Sequence, residues 1–89
     1  MFLYVFRNLF LVKNIFSDTV GEAIAGFRKK KGVSQEVLSG LADIGRTHLS
    51  AIERGERKPT LETLYRISCA LNVKMSDIVT AIEDKLENK

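Results

Sequence analysis

QEVLSGLADIGRTHLSAI, residues 35–52, is the stretch whose reading decides the fold. Leu38 and Leu41 fall on the inner face of one short helix, and Leu49 and Ile52 on the inner face of another. Asp43-Ile44-Gly45 breaks the pattern between them. An aspartate tolerates the left-handed backbone of a tight turn better than most residues. Ser39 is small at the point where the two helices must cross closely. The stretch therefore reads as two short helices held together by a tight turn. The second begins near Arg46, and Gly55 ends it.

The same helical period continues outward on both sides. Upstream, Val20, Ile24 and Phe27 recur at i, i+4 and i+7, and the cations of residues 28–31 complement the end of that helix before Gly32 stops it. Ser34 is a suitable N-cap for the helix carrying Leu38. Downstream, Glu56-Arg57-Lys58-Pro59 forms a polar loop. Thr60 then caps a fourth helix bearing Leu61, Leu64, Ile67 and Leu71, and Ser76 caps a fifth bearing Ile78, Val79, Ile82 and Leu86. No segment from Asp18 onward alternates long enough to make a strand. The expected architecture is all-α, a compact five-helix bundle over residues 18–87, preceded by an extension over residues 1–17.

Composition bounds what such a bundle can do. A chain of 89 residues has material for one core, and 45% apolar with 28% charged residues is ordinary for a globular protein. Cys69 is the single cysteine, which excludes an internal disulfide and fits a reducing cytoplasm; it reads as a small core residue. No Cys/His cluster, phosphate loop or nucleophile–base arrangement is present. No metal, cofactor, small-molecule substrate or catalytic activity is expected. Residues 19–58 carry eight Lys/Arg against five Asp/Glu, while residues 59–89 carry four against five. That asymmetry suits one face to a polyanion and another to a different contact.

The extension differs in kind. Twelve of its first sixteen residues are apolar, and it holds four of the five phenylalanines. It is too short for a membrane span and is interrupted by Arg7 and Lys13. It also lacks the basic start and small-residue cleavage site of a signal peptide. Residues 2–6 and 9–12 are β-prone runs flanking Arg7-Asn8, which allows a hairpin or an exchanged strand. Phe2, Phe6, Leu9 and Lys13 would equally suit a helix. Both conformations stay open, as does natural translation from near Val12.

Residues 26–73, GFRKKKGVSQEVLSGLADIGRTHLSAIERGERKPTLETLYRISCALNV, resemble the Cro/repressor-type helix-turn-helix family, also called the xenobiotic-response-element family. The likeness covers roughly residues 20–80, and the combination of SQ, LS, IERG and P-x-LETL is specific. RTHLSAIERGERKPTL, residues 46–61, is especially similar to controller proteins of restriction–modification systems. Two positions depart from the family pattern: Asp43 stands where glycine is usual and Ser39 where alanine is usual. The resemblance implies a lambda-repressor-like five-helix fold and a homodimer binding double-stranded DNA at a palindromic operator to regulate transcription. An antitoxin that also sequesters a partner protein is the alternative, and the apolar extension favours it.

Residue roles follow from that resemblance. Arg46 and Thr47 fall where the family reads base edges, and Ala51 lies one turn on at another base-facing position. His48 and Ser50 are within reach of bases or backbone. Arginine can take guanine O6 and N7 together, and threonine can meet a thymine methyl. Gln35 matches the family's phosphate-contacting glutamine, and Arg54, Arg57 and Lys58 suit phosphates that hold register. An arginine–glutamate pair that pins the reading helix to the scaffold matches Arg28 and Glu53. For the dimer interface, Met75, Ile78, Val79, Ile82 and Leu86 are the candidates, since helix five is more apolar than one face of a bundle requires.

Overall fold

The computed structural model of the protein describes the backbone of residues 9–88 and the side chains of residues 15–88. Five helices follow one another and no strand occurs among the described residues: α1 (Leu9–Lys31), α2 (Gln35–Ala42), α3 (Arg46–Glu53), α4 (Leu61–Leu71) and α5 (Met75–Glu87). α1 runs unbroken across residues 17 and 18, the expected junction of extension and domain. Residues 9–12, one of the two β-prone runs, are helical. The other run, residues 2–6, lies outside the described residues.

The first four helices end in the same way, for a reason visible in the sequence. A helix leaves its last carbonyls unpaired, and one left-handed residue just beyond it turns two N–H groups back onto them. Gly32, Asp43, Gly55 and Asn72 are those residues, with φ of 73°, 58°, 79° and 58°. After α1, Gly32 N–H reaches Lys29 O at 3.0 Å and Val33 N–H reaches Arg28 O at 3.3 Å. The pattern repeats as Asp43→Gly40 with Ile44→Ser39, Gly55→Ile52 with Glu56→Ala51, and Asn72→Cys69 with Val73→Ser68. Val33, Ile44 and Val73 thereby turn inward and pack against the core.

The helix starts are equally local, with one correction. Ser34 accepts from Val37 N–H at 3.0 Å, and Thr60 accepts from Thr63 N–H at 3.0 Å. Ser76 is not the cap of α5. That helix begins at Met75, and the Asp77 carboxylate accepts from Lys74 N–H at 3.0 Å. An aspartate two residues into a helix start can reach back to the preceding N–H, which a serine at the second position cannot do.

One core joins all five helices, centred on Ile24, Leu38, Leu49, Ile52, Ile67 and Ile78, each fully buried. Three expected core residues lie outside it. Leu41 is 65% exposed and Leu61 71% exposed, and Cys69 is also exposed. At about 100° per residue, Ala42 is nearer the direction of Leu38 than Leu41 is, and Ala42 is the one buried. On α4 the buried row is Leu64, Ile67, Ser68 and Leu71, which turns Cys69 outward. Buried hydroxyls bond to their own helix: Thr19 to Ile15 O at 2.6 Å, Ser39 to Glu36 O at 3.1 Å and Ser68 to Tyr65 O at 2.7 Å.

Candidate nucleic-acid interface

α2, the turn and α3 form the arrangement expected from residues 35–52. Ser39 is buried where the helices approach, and Asp43 takes left-handed backbone at φ 58° and ψ 48°. Gly45 is the N-cap of α3. Glycine has no side chain with which to cap a helix, so no side-chain hydrogen bond closes the start of α3.

Leu49 and Ile52 are completely buried, which anchors α3 and fixes what its other side presents. Arg46 and Thr47 stand exposed on its first turn; His48 and Ser50 are half-buried. Ala51 does not share that face. It is 9% exposed, and its carbonyl accepts from the N–H groups of Glu56 and Arg57 at 2.9 and 3.3 Å. Residue 51 lies between the inward Ile52 and the outward Ser50, and the returning chain covers it.

The pin behind the helix is a four-residue cluster. Arg28 Nε donates to Glu53 Oε2 at 2.7 Å, and Arg28 Nη2 donates to Glu53 Oε1 at 2.9 Å. This two-point contact is the strong geometry for a guanidinium and a carboxylate. The side chains are only 12% and 5% exposed. Arg28 Nη1 also donates to Val33 O at 3.0 Å, so one arginine ties α1 to the following turn and to α3. The hydrogen bond to Glu53 holds the proton of Arg28 more tightly than usual.

Two residues assigned to phosphates are engaged within the protein. Gln35 Nε2 donates to Glu53 Oε1 at 2.9 Å, which makes Gln35 the third donor to that carboxylate. Arg54 donates from Nε and Nη2 to Glu56 at 3.0 and 2.9 Å, and from Nη1 to Ser50 Oγ. A phosphate would have to displace Glu56 from Arg54. That exchange is easy on an exposed surface, where such pairs contribute little. Arg57 and Lys58 are exposed, and among the described residues no side-chain hydrogen bond or ion pair engages them or Arg46.

A link absent from the sequence reading is Arg66. It bonds Glu62 at 2.9 Å and reaches the Asp43 carbonyl at 3.3 Å, so α4 braces the turn between α2 and α3. The i, i+4 spacing of Glu62 and Arg66 announces the first contact. Nothing in the spacing announces the second.

The expected interface on α5 also needs correction. Ile78 is fully buried and Ile82 is 6% exposed, so both belong to the monomer's own core. Met75 and Leu86 pack partly against that core, and Val79 alone of the five is substantially open at 39%. Other exposed apolar side chains are Val37 and Leu41 on α2 and, on α4, Leu61, Tyr65 and Cys69, which recur every fourth residue.

Among the described residues no group of His, Cys, Asp and Glu could hold a metal ion, and no helix is long and apolar enough to cross a membrane.

The model of the helix-turn-helix family matches residues 24–78. An uncharacterized HTH-type transcriptional regulator of Sinorhizobium fredii is 37% identical over 65 residues, which covers 73% of this chain and 84% of the relative. Control protein C.MunI of a Mycoplasma species is 36% identical over 64 residues, covering 71% of this chain and 86% of that protein. The crystal structure of the restriction-modification controller protein C.AhdI from Aeromonas hydrophila superimposes with a TM-score of 0.67 at 28% identity, covering 68% of this chain and 92% of that one.

Proposed function

The chain belongs to the helix-turn-helix family of DNA-binding transcriptional regulators, and on that premise we propose that it acts as a homodimer on a palindromic operator, with α3 as the reading helix. The observation that carries this reading is the first turn of α3. Arg46 and Thr47 are exposed there on a helix that Leu49, Ile52 and the Arg28–Glu53 pair hold in place. In this reading Arg46 takes a guanine edge, Thr47 meets an adjacent base, and His48 and Ser50 contact bases or sugar. Arg57 and Lys58 bind phosphates flanking the groove; Gln35 and Arg54 join them after exchanging their internal partners.

Arg46 and Lys58 should fail in different ways. A bidentate arginine–guanine contact is worth about 1–3 kcal/mol of discrimination, so Arg46→Ala should flatten preference at one symmetric operator position and spare non-specific binding. Lys58→Ala should weaken all duplexes alike and reduce the salt slope of log K by about 0.9 for each phosphate that is no longer neutralised. Operator duplexes selected from a random pool, and scrambled ones, titrated at several salt concentrations separate the two. Equal losses on both duplexes for Arg46→Ala would make it a phosphate clamp.

A two-fold dimer places two reading helices about one DNA turn apart, roughly 34–36 Å. The stripe of Leu61, Tyr65 and Cys69 on α4 is the self-association face in this reading, because side chains this apolar and this exposed mark contact surfaces. Leu61→Arg combined with Tyr65→Glu should halve the mass measured by light scattering at micromolar concentration. A wild-type protein with the mass of one chain would defeat the dimer.

A further inference from the structure

A groove of about 420 Å³ lies on the side of the bundle where α1, the 57–60 loop and the helices α4 and α5 meet. Its walls are apolar: Phe16 and Val20 from α1, Pro59 from the loop, Leu64 from α4, and Val79 and Leu86 from α5. Phe16 and Val79 stand 40% and 39% exposed along it. Arg57, Lys58 and Glu83 line it as well. We propose that this groove is a docking site for residues 2–6 of the same chain, Phe-Leu-Tyr-Val-Phe.

Three features of this chain select that occupant. Residues 1–6 are six consecutive apolar residues, and a contiguous apolar run is seldom left facing water. The run is separated by only Arg7 and Asn8 from α1, the helix whose Phe16 forms one wall. Leu9 is about 10 Å along the helix axis from Phe16, by the rise of 1.5 Å per residue. The three extended steps from Leu9 back to Phe6 span at most about 10–11 Å, which just covers that distance. Arg7-Asn8 supplies the polar point at which the chain can reverse. Docking within one chain has a further advantage: a short tether gives an effective concentration near the millimolar range, far above that of a second copy at micromolar protein.

Cross-linking in the full chain tests this. In a Cys69→Ser background, Tyr4→Cys is paired with Val79→Cys in the groove, or with the more exposed Leu41→Cys on α2 as a control outside it. Under mild oxidation the Val79 pair should form a bond at the mass of one chain, at least about ten times faster than the control, in keeping with tethered docking. Equal rates for the two pairs would overturn the proposal. A product only at the mass of two chains would overturn it in favour of a second copy in the groove. An independent measurement uses Phe2→Ser with Phe6→Ser: fluorescence of an apolar-surface dye should rise severalfold as the groove opens. Unchanged dye fluorescence would also overturn it. The dimer is read separately, from the mass of the wild-type chain and of a Tyr65→Glu variant, a residue outside the groove lining, so either idea can fail alone.

Discussion

Glu53→Ala should melt far below the wild type, with a loss of about 3–5 kcal/mol, because removing one partner of a buried ion pair strands the other. Three donors converge on that carboxylate, two from Arg28 and one from Gln35. After the substitution, Arg28 would keep only its bond to Val33 O while its side chain stays 12% exposed. A domain of this size has a total stability of about 5–15 kcal/mol, so about a fifth of it or more would go. Each kcal/mol corresponds to about 4–8 °C in Tm for a small domain. Thermal and urea unfolding check this. A Tm within a few degrees of wild type would show that the cluster positions α3 without holding the fold. Gln35→Ala should lose only about 1 kcal/mol, the net value of one hydrogen bond. Replacing Arg28 and Glu53 together by apolar residues of similar size should restore much of the loss, since neither charge is then stranded.

Gly21→Ala should cost about 3 kcal/mol, while the same change at Gly26 on the same helix should stabilise by up to about 1 kcal/mol. A Cβ at residue 21 would lie 2.5 Å from the carbonyl oxygens of both Ile52 and Glu53. These are backbone atoms at the end of α3, and no rotamer change removes them. α1 would have to lift off α3, at the upper end of the usual overpacking range. At Gly26 a Cβ meets nothing within 4 Å, so only the better helix propensity of alanine remains. The opposite signs, measured by urea unfolding of the two variants, are the discriminating result. Two stabilising substitutions would mean that α1 and α3 can separate freely at this contact. Because the contact sits at the carboxyl end of α3, Gly21→Ala should also weaken operator binding more than its stability loss explains.

The helix boundaries were legible because the groups that set them are neighbours in the chain. Ser34 and Thr60 cap helices they immediately precede. Gly32, Asp43 and Gly55 end helices because their own backbones tolerate positive φ. Leu49 and Ile52 turn inward because α3 has only eight residues and one apolar side. The likeness carried by residues 26–73 added the Arg28–Glu53 pair, whose partners lie 25 residues apart. Spacing alone could not have joined them.

Where reading by period failed, tertiary packing had chosen between adjacent positions. Leu41, Leu61 and Cys69 are apolar residues one step off the row that each helix buries, and hydrophobicity alone assigned them to the core. Ile78 and Ile82 were credited to a partner chain because the capacity of the core was unknown until α1 and α4 were in place around them. Ala51 looked outward until the chain at Glu56 and Arg57 returned over its carbonyl. By itself the sequence determined the number of helices, the caps at Ser34 and Thr60, the turn at Asp43 and the position of α3, since caps, turn residues and a 3.6-residue period act over a few neighbouring residues. Only the tertiary structure decided which apolar side chains remain outside, that Gln35 serves Glu53, that Arg66 braces the turn and that Gly21 must stay bare. Each of those depends on how closely two distant segments approach, a distance that side chains from every helix set together.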